Sequence, residues 1–405
     1  MISKENKDDS QFNFIDEINS LVKSSNKKRS NYFWEKIKYY YSKYKEAKLD
    51  FFKKTPLLSY SFKRIVYSFI TLYIAIAVIY FLLSISLTEE TIMNDFDYTK
   101  PIVKPYGPEW SRWVENKKIA FGLDGSMIEQ ILRYWKNITP FIPKKISLPI
   151  QISFTGIRWG KEETRWFWLG LNLNRLNGTA NNFPVLDTFK KAMPISFMIG
   201  MSSVVLSYFV GIPIGIIAAK NKENPKDQFI SWFFLILIAS PAMILVTLFW
   251  LFTVRYLGSK GVWNQDYQTN LFAILALSIL TIPSIVISTR RYVIDEMTAD
   301  YTKFAKSKGL SSSYIFYIHI FRNAGIRIIR VIPSSIILSL FGSSLLIERF
   351  WSAPGMSKYI LSGVSTNDIF IVLGYVTLSA SVGVFASLLS DLLLVILDPR
   401  VKLHK

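Results

Sequence analysis

The fold class predicted by this sequence is an all-α polytopic membrane protein with six transmembrane helices. Half of its 405 residues are apolar, with 30 Phe and 11 Trp, and that excess is gathered into runs long enough to cross a bilayer. Lys and Arg collect in alternate connections between those runs, as the positive-inside bias requires of a multi-pass chain. The formal charge of +19 is therefore read as membrane-side charge, and nucleic acid is not expected as a partner.

Composition also excludes chemistry. There is no Cys, which removes disulfides, thiolate catalysis and Cys-ligated zinc. Only two His occur, at 319 and 404, too few for a His-rich metal cluster. No G-x-x-x-x-G-K-[S/T] segment is present, so no catalytic, cofactor or metal site is expected here and any ATP hydrolysis belongs to another chain.

Residues 1–62 are polar and Lys-rich, with a first thirty whose composition favours disorder. From Phe33, apolar residues recur at Ile37, Tyr41, Tyr44, Ala47 and Phe51 with Lys on the other faces. This predicts an amphipathic basic helix, suited to an anionic membrane surface or to a solvated linker, that closes at Pro56. Within 63–87 the run Ile65–Leu87 is uncharged over 23 residues, longer than a roughly 30 Å hydrocarbon core needs. Residues 88–192 form the longest connection and hold six Trp, at 110, 113, 135, 159, 166 and 168. Alternation around Ile146–Ile157 is strand-like, and a connection of this length is expected to fold as a small domain. Asn137-Ile-Thr and Asn177-Gly-Thr match the glycosylation triplet by chance in an Asn-rich chain.

Five further spans are expected within 193–402, at Met193–Ala219, Phe229–Val254, Leu271–Thr289, Val331–Ile347 and Ile369–Leu397. Pro213, Pro241, Pro283 and Pro333 lie inside them and predict kinks. In the first of the five, Gly211-Ile-Pro-Ile-Gly215 sets two glycines on one face, so that another backbone can approach closely. Lys/Arg counts near span ends are 19 on one side and four on the other, which predicts both termini and the 290–326 connection inside and the 88–192 insert outside.

That 290–326 connection reads as two helices meeting at a bend. Lys303, Lys306 and Lys308 fall in the last turns of the first, expected over about Met297–Lys308, where cations suit the C-terminal dipole. Gly309 stands where a left-handed residue ends a helix, and Ser311 is placed to cap the next. An ordinary basic connection is the plain alternative.

Asp300-Tyr-Thr-Lys-Phe-Ala-Lys-Ser-Lys-Gly-Leu-Ser311 followed by His319-Ile-Phe-Arg-Asn-Ala324 resembles the cytoplasmic coupling loop of permease subunits of bacterial oligopeptide and dipeptide ABC importers, of the B type. Where the wider family has Glu-Ala-Ala, this chain has Lys303-Phe304-Ala305, which removes the usual Glu contact. Glu348-Arg-Phe-Trp-Ser-Ala-Pro-Gly-Met356 and the ending Asp391-Leu-Leu-Leu-Val-Ile-Leu-Asp398-Pro-Arg400-Val resemble the same permeases.

The resemblance implies a type I importer permease fold and a non-catalytic pore subunit for peptides. It further implies a second homologous permease, two cytoplasmic ATPases that use ATP and Mg, and an extracellular substrate-binding protein. Asp300, Tyr301, Lys303, Ala305, Lys306, Lys308, Gly309, His319, Arg322 and Asn323 are the expected ATPase-docking residues. Glu348, Ser352, Pro354 and Gly355 form an outer turn or gate, expected as a type II turn with Pro354 second and Gly355 third at positive φ. Gly211, Gly215, Asp391, Asp398 and Arg400 are assigned to helix packing or the pathway. Asp391, the one acid in its apolar run, either lines the inner half of the pathway or pairs with a basic residue of a partner.

Two other classes stay open. A secondary transporter would carry inverted repeats and several intramembrane ionisable groups, and neither is seen; an importer of chelated metal or glycan differs only in cargo. A membrane-anchored enzyme would need His or clustered carboxylates in the insert, which has no His.

Overall fold

The computed structural model describes residues 56–397, except 94–95, 100, 174–181 and 340–344, together with 38, 42 and 43. Of the predicted basic helix over Phe33–Phe51 the structure describes Lys38, Ser42 and Lys43, all helical, and the Asn177 triplet, Asp398 and Arg400 lie outside the described residues. The chain divides into residues 1–63 with 402–405, and residues 64–401; the second unit holds the packing described below.

Among the described residues, four helices are long and apolar enough to cross a membrane: α1 (Pro56–Ile85), α5 (Val185–Lys220), α8 (Tyr267–Thr298) and α15 (Ile369–Leu397). Between the first two lie α2 (Glu89–Ile92), α3 (Pro108–Phe121), α4 (Met127–Ile138) and the strands β1 (Lys144–Ser153) and β2 (Gly156–Arg165). After α5 come α6 (Pro225–Ala239) and α7 (Ala242–Tyr256). Following α8 are α9 (Asp300–Ser307), α10 (Ser312–Tyr314), a π-helical turn Ile315–Phe321, α11 (Arg322–Ile329), α12 (Ile332–Leu338), α13 (Leu345–Phe350) and α14 (Met356–Ser365).

Two expectations about spans change. The stretch expected as one kinked span over Phe229–Val254 is a pair, α6 and α7, bent by 101°. The cause is local: the Pro241 ring denies Ser240 the helical region, and Ser240 adopts ψ 136 instead. The stretch expected as Val331–Ile347 contains α12 and the start of α13 rather than one described helix. Counting α6–α7 as one crossing, five spans are present among the described residues.

The label all-α also needs correction, because the insert carries an antiparallel hairpin with Ser153 opposite Gly156 and Lys144 opposite Arg165. The alternation around Ile146–Ile157 marks the first strand and the turn; β2 continues to Arg165 through a run of charged residues that carries no hydrophobic period. The insert is anchored to the helices. Tyr80, Tyr134, Trp168 and Phe370 belong to one core cluster, Tyr134 Oη lies 3.2 Å from Thr377 Oγ1, and the buried Asp368 carboxylate accepts from Leu173 N at 2.7 Å. Trp110 is fully buried and Trp135 donates to Tyr73 O at 3.1 Å, whereas Trp159 and Trp166 are exposed.

α5 and α8 pack along most of their length. A Cβ on Gly211 would sit 2.8 Å from Ile285 Cγ2, and one on Gly215 would sit 2.7 Å from Thr289 Cβ. Ser203 meets Ser278 at 3.1 Å and Ser207 meets Thr281 at 2.5 Å across the same seam. Small residues let the backbones approach, and paired hydroxyls satisfy one another away from water.

Candidate functional site

The loop is set up by the overrun of α8. Its 32 residues extend about 48 Å at 1.5 Å each, past the apolar stretch, and carry Arg290, Asp295 and Glu296 beyond it. Arg290 grips the buried Asp227 at the start of α6 with two bonds of 2.5 and 2.7 Å. The helix ends at Ala299 (φ −64, ψ 149), so the first loop helix begins at Asp300 rather than near Met297.

α9 closes at Gly309, whose φ of +77 is left-handed. Leu310 N bonds back to Ala305 O at 3.4 Å and Gly309 N to Lys306 O at 3.0 Å, the paired closure of a Schellman ending. Ser311 Oγ then accepts from Tyr314 N at 3.3 Å and starts the second arm.

The named loop residues divide by environment. Asp300, Lys303, Lys306, Lys308, Gly309 and Arg322 are exposed. Lys303 pairs with Asp300 at 2.9 Å, and the Lys308 ammonium sits 4.5 Å from the Phe304 ring centre. His319 is half-buried in the π-helical turn with its ring against Tyr314. Asn323 hydrogen-bonds Tyr301, whose phenol is raised above its ordinary pKa by burial and by the Glu296 carboxylate.

Ala305, expected on the docking face, is buried with Ile315, Phe316, Ile320 and Ala324. It positions the two arms against each other, and its neighbour Phe304 takes the outer position at 61% exposure, alongside Tyr317 at 60% and Tyr314 at 50%. The helical period alone separates 304 from 305, but which face is outward depends on the second arm.

Behind the loop, a cavity of about 350 Å³ opens between α5, α8, α11 and α12. Ser207, Thr281, Ser284, Ser288 and Ser335 give it hydroxyls, and among the described residues Arg327 is its one charged wall residue. Arg327, which carries no motif in the sequence, donates to Asp295 Oδ2 at 3.2 Å and to Glu296 Oε1 at 2.8 Å.

At the opposite end, the expected type II turn is absent. Gly355 has φ −92 and Gly355 N bonds Ala353 O at 2.9 Å, a tight turn centred on Pro354, while the positive φ falls on Ser352. The reason is Glu348. Its buried carboxylate accepts from Ser196 Oγ at 2.6 Å and from Ser357 N at 2.8 Å, capping α14, and Ser196 Oγ accepts from Met356 N at 2.8 Å. A Cβ on Gly355 would lie 2.4 Å from Glu348 Cδ. Asp391 pairs within the chain, with Arg64 on α1 at 2.5 Å; Arg64 also donates to Ser387 Oγ at 3.1 Å.

Long apolar helices around a hydroxyl-lined cavity, with a capped helix-bend-helix loop at one end, define a multi-pass membrane permease. The chain belongs to the family described as binding-protein-dependent transport system inner membrane component, whose profile matches residues 211–403. It is 31% identical over 216 residues to the oligopeptide transport system permease AmiC of Streptococcus pneumoniae, covering 51% of this chain and 42% of that one. It is 30% identical over 223 residues to the dipeptide transport system permease DppB of Bacillus subtilis, covering 55% and 72%. The peptidoglycan transport system permease YejB of Agrobacterium fabrum is 30% identical over 243 residues, covering 55% and 66%. The chain thus spans less than half the length of the pneumococcal relative.

Proposed function

We propose that this chain is the B-type permease subunit of a peptide ABC importer, one half of a pore that ATP hydrolysis in other subunits drives. The observation that carries it is the loop at 300–324, with its capped bend and its outward row of Phe304, Lys306, Lys308 and Tyr317, on a chain whose relatives are named as oligopeptide and dipeptide permeases. Two cytoplasmic ATPases using ATP and Mg dock on this loop and its counterpart in a second homologous permease. An extracellular binding protein delivers the cargo.

In this reading the chain makes six crossings, with α12–α13 supplying the sixth. Both termini face the cytoplasm, and the insert stands outside, where Trp159 and Trp166 offer contact to the binding protein. Gly211 and Gly215 set the width of the pathway wall, and Glu348 with Gly355 holds its outer end.

The test is uptake of labelled oligopeptides and dipeptides by cells carrying or lacking the subunit, together with co-purification of the ATPases. Retained uptake of both peptide classes without the subunit would overturn the substrate, and purification free of any ATPase would overturn the family role for this loop.

A further inference from the structure

The carboxylate of Glu296 has two partners on two different structures. Oε1 accepts from Arg327 Nη2 at 2.8 Å, and Oε2 accepts from the Tyr301 phenol at 2.5 Å. Its backbone carbonyl accepts from Thr302 Oγ1 at 2.8 Å. Arg327 belongs to the cavity wall and Tyr301 and Thr302 to α9, so this side chain, only 10% exposed, lies between the loop helix and the cavity.

The mechanical arrangement is equally specific. Ala299 is the single non-helical residue between α8 and α9, so α9 can pivot there with the Thr302 hydroxyl still on the Glu296 backbone carbonyl while the Tyr301 phenol moves off the carboxylate. The Arg327 guanidinium has Asp295 and Glu296 on one side and the Tyr292 ring 5.8 Å away. Tyr292 also lines the cavity. The Arg327 side chain, 42% exposed, also lines the hydroxyl-bearing cavity, so a change at either acceptor alters how the guanidinium sits in that wall.

We infer that Tyr301, Glu296 and Arg327 form a relay that converts displacement of the loop helix into opening or closing of the cavity's loop-side end. The inference rests on the importer reading above and names the positioning residues through which ATPase movement reaches the pathway. With α9 seated, Tyr301 and Arg327 share Glu296, and the guanidinium is held against α8. When α9 pivots, Tyr301 leaves, the carboxylate reorients, and Arg327 shifts in the wall. Asp295, which is exposed, retains one bond to Arg327 and keeps the charge near its seat.

The test uses the whole chain assembled with its partner subunits in nanodiscs. Because the chain has no cysteine, Ser288→Cys places a single thiol of this subunit on the cavity wall. Its rate of reaction with a water-soluble maleimide is compared without nucleotide and after trapping with ATP and vanadate, and trapped nucleotide is measured in the same samples. The expected result is a rate difference of about fivefold or more with the native relay. Arg327→Gln, which lies outside the docking residues, brings it within about twofold while trapping persists; Tyr301→Phe, which removes one hydroxyl, brings it within about twofold when the rate is compared per trapped nucleotide, and the double variant loses no more than either alone. An unchanged difference in either variant overturns the relay, and so do additive losses. Loss of trapping together with the rate difference in Tyr301→Phe would assign that residue to docking instead. If the native relay shows no difference although nucleotide is trapped, the loop transmits nothing and the coupling role under Proposed function falls as well.

Discussion

At Gly309 the constraint is backbone conformation and not space, because φ is +77 while no atom lies within 4 Å of where a Cβ would be. A β-branched side chain there costs about 1–3 kcal/mol, whereas Asn tolerates this region. Gly309→Val is therefore expected to abolish peptide-stimulated ATP hydrolysis without preventing membrane insertion, and Gly309→Asn to keep most of it; both are read from ATPase assays on the purified complex. At Gly355 the order reverses. Its φ is ordinary, but the Glu348 carboxylate fills the space, so even Gly355→Ala should destabilise by about 1–3 kcal/mol, visible as a lower unfolding midpoint in detergent. Gly309 was legible because a helix ending depends on near neighbours. Gly355 was misread because Pro-Gly permits several turns, and the deciding group is held by Ser196, 152 residues before Glu348.

Among the elements, the long apolar helices were legible from composition, but their ends were not. α8 runs nine residues past its expected end at Thr289, since helix geometry continues through polar residues when they find partners, as Arg290 does in Asp227. The break at Pro241 was readable as a kink, and its size was not. Pro241→Ala frees Ser240 to become helical, so spin labels near Phe229 and Tyr256 should move apart if the ring is the cause of the bend. An unchanged distance would assign the bend to tertiary packing. The Arg64–Asp391 pair joins the first and last helices, with side chains about one-third exposed. Losing one partner strands the other near hydrocarbon. Arg64→Ala and Asp391→Ala are expected to lower thermal stability more singly than the double variant does, measured as a double-mutant cycle.

For the whole molecule, the insert was recognisable as a folded unit from its length and its Trp content, but the division of labour among those Trp residues was not. Trp110 and Trp168 are buried, which removes them as contacts for a partner. Replacing exposed Trp159 and Trp166 together by Ala should weaken binding-protein association several-fold in a pull-down, with insertion and basal ATP hydrolysis intact; unchanged association would leave the insert as scaffold. The topology itself is open to maleimide labelling at cysteines introduced for Lys118 and Lys306, which should react from opposite sides.

The 101° bend between α6 and α7 has one more consequence, and it concerns parity. If that pair dipped into the membrane and returned, every later segment would exchange sides, and the eight Lys and Arg from 290 to 330 would face outward against the charge bias. If it crosses, those charges stay inside, and with α12–α13 crossing as proposed above, α15 returns the chain to the side on which it started. A single proline-bent pair thus acts as the parity bit of the sequence, and a thiol at Lys260 that reacts only from the outer side reads it directly.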